Sequence, residues 1–170
     1  MKILIAYYSM TGNTEKIAKG MNEALAGEDV TLKKIEELDP STLNSYDLVL
    51  LGSGIYAARF HKTVKKLLKA TEELPPKAAL FYTHATIDPE TYQPFPRNIR
   101  KIIEKGGCTI IAEFECLGET KNVSDEQQQQ RLQSLSPAER KKAKDQMAKL
   151  KGHPNADDLE NAKNFAKSFL

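Results

Sequence analysis

Residues 2–27 read KILIAYYSMTGNTEKIAKGMNEALAG, and this stretch decides the fold. The run from Lys2 to Tyr8 is apolar at nearly every position, which is typical of a strand buried on both faces. After a short polar loop, Asn13–Ala26 is predicted to be a helix, and Gly27 is suited to end it. Its apolar face is formed by Ile17, Ala18, Met21, Ala24 and Leu25. A buried strand followed at once by an amphipathic helix indicates the first half of a βαβ unit.

The same alternation continues along the chain. Four more strands are predicted at Val30–Ile35, Leu48–Leu51, Ala78–Tyr82 and Thr109–Cys116. Helices are predicted between them from apolar residues at helical spacing, and a last helix is predicted after Asn155 as its N-cap. Strands that are apolar on both faces need helices on both sides of a parallel sheet. We therefore predict a single α/β domain over residues 1–170, with a doubly wound five-stranded parallel sheet and helices on both faces.

Residues 119–151 depart from this alternation, because they contain few large apolar residues. Their eight basic and five acidic side chains give a net charge of +3, so the rest of the chain carries −1 of the total of +2. Ser136 and Pro137 followed by Glu139 form a helix start signal, which predicts a helix over Pro137–Leu150. We expect a basic, mostly helical insertion, either a solvated excursion or a docking surface for a partner.

The composition argues against several classes of protein. No apolar run approaches the ~20 residues that cross a bilayer, and a net charge of +2 gives no reason to expect nucleic acid as a partner. Met1 and Lys2 lead straight into the first strand, so we expect no signal peptide and a cytoplasmic location. Cys108 and Cys116 bracket one strand and the histidines are scattered, so we expect reduced thiols and no metal site.

The loop after the first strand, Ser9-Met10-Thr11-Gly12-Asn13-Thr14, is the candidate site for chemistry. Backbone N–H groups converge at such a strand-to-helix junction, and the helix dipole favours an anion there. The loop has no Lys or Arg, so neutral donors would hold a phosphate, as in a monophosphate ester. Neither G-x-x-x-x-G-K-[ST] nor G-x-G-x-x-G is present, which excludes a P-loop NTPase and a dinucleotide fingerprint. Taken alone, the loop also fits a Ser/Thr-rich cap on an ordinary helix.

Several stretches together carry a resemblance to one family. The Ser9-x-Thr11-Gly12-x-Thr14 pattern resembles the FMN-phosphate loop of flavodoxins. Tyr46–Tyr56 is similar to their third strand and the flavin-covering loop after it, and Phe81–Ala85 is similar to their fourth strand and second flavin loop. The stretch from Gly152 to Ala162 resembles the lead into their last helix. The resemblance covers the whole chain except residues 119–151, and it implies the strand order 2-1-3-4-5.

The resemblance also implies a cofactor, FMN, and the residues that hold it. Tyr56 is expected to stack on the flavin, and the Ala57–Ala58 peptide is the candidate for a carbonyl that turns toward the ring. The expected binding residues are Ser9, Met10, Thr11, Gly12, Asn13 and Thr14 at the phosphate, Ser53, Gly54, Ile55, Tyr56 and Ala57 on one side of the ring, and Thr83, His84 and Ala85 on the other.

Two functions follow from this resemblance. The first is an electron carrier, expected to be a monomer that docks transiently to a reductase and an acceptor enzyme. The second is an FMN-dependent oxidoreductase acting on a quinone or a porphyrinogen-like substrate. Residues 54–61 are also similar to a loop of menaquinone-dependent protoporphyrinogen oxidases, and Arg59 and Lys62 would favour an anionic reduced flavin. We prefer the carrier, and we assign no catalytic residue and no metal ligand.

Overall fold

The computed structural model describes residues 1–121 and 123–170. The strands are β1 (Ile3–Tyr8), β2 (Val30–Lys34), β3 (Leu48–Tyr56), β4 (Arg59–Phe60), β5 (Lys77–His84) and β6 (Thr109–Leu117). The α-helices are α1 (Asn13–Ala24), α2 (Lys62–Ala70), α3 (Pro89–Tyr92), α4 (Arg97–Lys105), α5 (Asp125–Gln133), α6 (Pro137–Leu150) and α7 (Ala156–Lys167). Short 3-10 helices at Ile35–Glu37 and Pro40–Ser45 connect β2 to β3.

The five long strands form a parallel sheet in the order β2-β1-β3-β5-β6, and β4 pairs antiparallel with the end of β3. Leaving out the short β4, this is the predicted order 2-1-3-4-5, so the predicted α/β fold is confirmed. The strand order reverses at β1, which lies between β2 and β3. In such sheets a ligand site forms where the order reverses, at the carboxyl ends of the strands.

Two apolar cores, one on each face of the sheet, explain why the strands lack alternation. Leu4 and Ala6 of β1 belong to one core, while Ile3 and Ile5 belong to the other. The first core includes residues of α2 and α4, and the second includes residues of α1 and α7. Because successive strand residues point to opposite faces, both sets of side chains are removed from water. The helices on both faces match the prediction.

The carboxyl ends of β3 and β5 extend further than predicted. β3 continues through Ser53 and Gly54 because these residues pair with β1 and β5, and then to Tyr56 because Ile55 and Tyr56 pair with β4 across a turn at Ala57 and Ala58. Both alanines have positive φ angles, 48° and 60°, which suits the tight turns that match strand twist. Such turns usually carry Gly or Asn, so two alanines are no hairpin signal. The prediction that the strand ends at Leu51 and a loop follows was therefore wrong.

The 119–151 segment contains α5 and α6, and the bounds of α6 are those predicted. Both helices begin with a capping box, formed by Ser124 with Gln127 and by Ser136 with Glu139. Arg140 of α6 links this helix to the end of α5 and to the turn between the two helices. Its guanidinium donates to the carbonyl oxygens of Leu132 at 2.8 Å and Leu135 at 3.2 Å. That this segment is an insertion remains a prediction.

Cys108 and Cys116 are free and buried. Burial raises the pKa of the Cys108 thiol to about 11 and that of Cys116 further still. Both thiols are therefore protonated and shielded at neutral pH, as expected for reduced structural cysteines. Within the described ranges, none of the helices has the length and apolar character needed to cross a bilayer.

Candidate functional site

The carboxyl ends of β1, β3, β5 and β6 surround a cleft of about 240 Å³. We call it the edge cleft. Its lining residues are Met10, Thr11, Asn13, Gly54, Ile55, Tyr56, Thr83, His84, Ala85, Gly118, Glu119 and Thr120. The three separate stretches that the sequence singled out thus meet at one place. The stretch 118–120 was missed, although its position after the last strand places it at the same edge.

The loop after β1 presents an open cradle of backbone N–H groups. Gly12 precedes α1 with a φ of 86°, a left-handed conformation that favours glycine, and its N–H donates to Ser9 Oγ at 3.1 Å. A Cβ added to Gly12 would meet no atom within 4 Å, so the space beside it is open. The N–H groups of the first turn of α1 have no acceptor within the helix. The loop therefore has a geometry that suits an anion, and its role in binding a phosphate stays a prediction.

Asn13 and Thr14 join this loop to the neighbouring strands. Asn13 Nδ2 donates to the Glu119 carbonyl oxygen at 2.9 Å, and the Thr14 and Thr83 hydroxyl oxygens lie 2.9 Å apart. A Cβ at Gly118 would stand 2.7 Å from Asn13 Nδ2, so only glycine fits there without a shift. Asn13 Oδ1 is buried and has no hydrogen-bond partner in the described part of the chain. A buried acceptor of this kind is costly unless a ligand donates to it.

Tyr8, Tyr56 and His61 form an aromatic wall in which Tyr56 lines the β3 side of the edge cleft and the other two rings pack against Tyr56 outside the lining. The rings of Tyr8 and His61 stack with centroids 3.7 Å apart, and Tyr56 meets them edge-on. The Met10 N–H donates to the Tyr56 hydroxyl oxygen at 3.0 Å, which brings this ring over the loop. Burial, and then the charge of Lys62, lowers the pKa of His61, so its ring is neutral and suited to stacking. The sequence had not assigned Tyr8 or His61 to this wall.

Ser53 and Ala57 shape the β3–β4 hairpin and do not line the edge cleft. Ser53 is buried, and its hydroxyl donates to the Gly54 carbonyl oxygen at 2.7 Å and accepts from the His61 N–H at 3.0 Å. The Ala57 carbonyl oxygen accepts from Arg59 Nε at 3.4 Å. Of the predicted site residues, Ser9, Gly12 and Thr14 also lie outside the lining, in the loop after β1 and at the start of α1 beside the edge cleft.

His84 anchors the β5 side of the edge cleft to β6. Its side chain is 1% exposed, and its Nε2 lies 2.6 Å from Glu115 Oε2. The Tyr92 hydroxyl donates to Glu115 Oε1 at 3.2 Å, and the Tyr92 ring stacks on His84 with centroids 4.2 Å apart. The hydrogen bond from His84 lowers the pKa of Glu115, against the opposing effect of burial. His84 therefore holds the end of β5 in place through a carboxylate that stays ionised.

Replacing Glu115 by glutamine is expected to reduce the free energy of unfolding at pH 7 by less than about 1 kcal/mol, because this carboxylate is partly exposed. The pKa of Glu115 is lower in the folded protein than in the unfolded chain. Its contribution is therefore fully present above the unfolded pKa and is lost as pH falls through the folded pKa. Urea unfolding of both proteins at neutral and acidic pH measures this, and a difference that does not shrink in acid would contradict the prediction.

Together these features describe what the edge cleft can hold. An open cradle of neutral donors lies beside a slot between an aromatic wall and the ends of β5 and β6. This combination suits a flat ring molecule that carries a phosphate ester. Among the described residues, no group of three or more His, Cys, Asp and Glu side chains gathers as a metal site.

The comparisons with known proteins agree with this geometry. The family model for the flavodoxin domain matches residues 4–167. An uncharacterised protein of Methanocaldococcus jannaschii is 33% identical over 100% of this chain and 99% of its own length. Oxidised flavodoxin 2 from Bacillus cereus has a similar structure, with a TM-score of 0.65 and 22% identity over 99% of this chain and 97% of that one. The flavoprotein of Lactobacillus acidophilus in complex with FMN has a TM-score of 0.51 and 23% identity, over 67% of this chain and 92% of that one.

The family model spans nearly the whole chain, and the relative from Methanocaldococcus jannaschii matches it from end to end. The strand order and the loop after β1 agree with both findings. The chain therefore belongs to the flavodoxin family.

Proposed function

We propose that this protein binds FMN in the edge cleft and carries electrons between partner redox proteins. The observation that carries the proposal is the cradle at Gly12: the N–H groups of the first turn of α1 have no acceptor within the helix, and the space at the Gly12 Cβ position is open. A phosphate is the group that such a cradle favours. The buried and unpartnered Asn13 Oδ1 next to it supports the presence of a donor group on the ligand.

The chemistry of the residues around the edge cleft also fits FMN. Bound FMN supplies one- and two-electron redox chemistry, which the side chains of the edge cleft do not provide by themselves. The loop after β1 would hold the phosphate through hydrogen bonds from uncharged groups, and no metal ion is needed between the phosphate and the loop. The Tyr56 ring, backed by Tyr8 and His61, and the Thr83–Ala85 stretch would bound the two sides of the flavin.

The carrier is preferred to the oxidoreductase because the imidazoles near the edge cleft are engaged in structure. His61 Nδ1 accepts from the Thr63 N–H at 3.3 Å and so caps α2, while His84 Nε2 is held by Glu115. An enzyme that uses one of these histidines as a general acid or base would have to break these hydrogen bonds. A carrier that exchanges only electrons needs no such proton transfer.

Titration of the flavin-free protein with FMN tests the proposal. We expect the flavin fluorescence to be quenched at one FMN per chain, and riboflavin, which lacks the phosphate, to bind at least about tenfold more weakly. A protein that ignores added FMN would contradict the proposal.

A kinetic measurement on the flavin-loaded protein then separates the carrier from the enzyme. The photoreduced protein is expected to react slowly with menadione, an uncharged quinone, and a redox titration is expected to show a low potential for the last electron. Rapid catalytic turnover of the quinone would favour the oxidoreductase instead.

A further inference from the structure

Helix α6 stands directly beside the edge cleft. Gln146, in its third turn, donates from Nε2 to the carbonyl oxygen of Ala85 at 2.9 Å, and Ala85 lines the edge cleft. Together with Ala143, Met147 and Leu150, Gln146 also lines a pocket shared with α5, so it stands at the border between the apolar and the charged sides of α6. The helix therefore has its apolar side against α5 and its charged side free at the rim of the cofactor site.

That charged side carries an excess of lysines. Lys141, Lys142 and Lys149 are exposed and line an open groove of about 780 Å³ between α6 and the loop after β5. Lys142 and Lys149 lie four residues before and three residues after Gln146, so both are neighbours of the residue that contacts Ala85. We call Lys141, Lys142 and Lys149 with this groove the cationic face.

Acidic side chains nearby compensate this charge only in part, since the three lysines of the groove outnumber its two aspartates, Asp88 and Asp145. In the described part of the chain, none of the ion pairs involves a lysine of α6. Asp88, across the groove, accepts a hydrogen bond from the Thr91 hydroxyl, and Glu139 is held by the Ser136 N–H and hydroxyl. Only Asp145 remains on the same side of α6 as an exposed carboxylate. Separate, flexible lysine head groups of this kind steer a charged partner toward docking.

We propose that the cationic face docks an acidic redox protein and brings it to the rim of the edge cleft. The inference rests on the proposed carrier function, and it names the polarity of the partner and the helix that recognises it. An acidic protein surface fits better than nucleic acid, because Asp88 and Asp145 lie in the same groove and would repel a phosphate backbone. Carboxylates on a protein can be spaced to meet the lysines and avoid both aspartates.

Calorimetric titration of the flavin-loaded protein with two redox proteins of opposite charge tests this directly. Cytochrome b5 serves as the acidic probe and cytochrome c as the basic one. We expect cytochrome b5 to bind more tightly than cytochrome c at about 20 mM salt, and its affinity to fall steeply by about 300 mM. The triple variant Lys141→Gln, Lys142→Gln, Lys149→Gln is expected to weaken cytochrome b5 binding about tenfold at low salt.

A matched control removes the same charge elsewhere. Lys69 and Lys105 are exposed in the last turns of α2 and α4, and Lys101 is exposed about one turn before Lys105. These helix ends lie at the opposite edge of the sheet because crossover helices run antiparallel to the strands. Their replacement by glutamine is expected to change cytochrome b5 binding less than about twofold. Circular dichroism of each variant checks that the fold is intact.

The outcomes separate this inference from the proposed function. Equal losses in the two triple variants, or preferred binding of cytochrome c, would overturn the cationic face as a docking surface while FMN binding stands. Binding of a short DNA duplex that is as tight as that of cytochrome b5 would overturn the assignment to a protein partner. If the chain takes up no FMN, the proposed carrier function is wrong. The cytochrome titrations measure binding and not electron transfer, so they still test whether the cationic face is a docking surface.

Discussion

Replacing Gly12 by alanine is expected to weaken FMN binding by about 10- to 100-fold while the fold stays intact. The added Cβ meets no protein atom, so it stands in the open cradle where we place the phosphate. The φ of 86° adds a backbone cost of about 1–2 kcal/mol, because a side chain is disfavoured in the left-handed region. Fluorescence titration with FMN measures the affinity, and urea unfolding measures the stability.

Gly27→Ala is the matched control for this variant. Gly27 also has a positive φ, 105°, and open space at its Cβ position, but it lies beyond the C-terminal end of α1, away from the edge cleft. It is expected to lose similar stability and to keep the FMN affinity. Riboflavin binding is expected to change little in either variant. An unchanged FMN affinity in Gly12→Ala would show that the phosphate does not lie in this cradle.

Replacing Gly52 by alanine is expected to lower the free energy of unfolding by about 3 kcal/mol or more. Gly52 of β3 lies directly opposite Phe81 of β5 in the sheet, and the Phe81 ring covers the place where a Cβ would be. Phe81 is fully buried in the core that contains α1 and α7, so its ring has no room to move aside. Urea unfolding monitored by circular dichroism measures the loss.

A second substitution at the facing position tests the cause of this loss. Shortening Phe81 to leucine makes room for the alanine methyl group, so Gly52→Ala combined with Phe81→Leu is expected to be less destabilised than the sum of the single changes. Gly107→Ala gives the control for an added methyl group without overlap: no atom lies within 4 Å of its Cβ position, and its φ of 77° adds only a backbone cost of about 1–2 kcal/mol. Strictly additive losses at Gly52 and Phe81 would contradict the steric explanation.

Sequence reasoning succeeded where the physical signal is local and repeated. Lys2–Tyr8 is apolar at successive positions because β1 is buried on both faces, and that property alone indicates a parallel sheet with helices on both sides. The start of α6 was predicted to the residue because Ser136 and Glu139 form a capping box within one turn. The position of the site followed from the strand ends, which meet at one edge in any such sheet.

Other parts of the site depend on contacts between residues far apart in the chain. The Ala57–Ala58 turn takes positive φ angles that alanine disfavours, and pairing of β3 with β4 holds it there. Thr14 faces Thr83, and Gly118 approaches Asn13 closely. Both contacts form only when β1, β5 and β6 lie in register. No local sequence pattern predicts such contacts, because each of these residues is compatible with many different neighbours.

The sequence by itself thus determined the α/β layering, the strand order through a family resemblance, and the place of the candidate anion-binding loop at Gly12. The physical reason is that burial on two faces and helix capping leave periodic, short-range patterns in the chain. Only the tertiary structure decided which side chains wall the edge cleft and that α6 holds its lysines at the rim through Gln146. These contacts depend on packing between elements that are far apart in the chain, and no local sequence pattern predicts such packing.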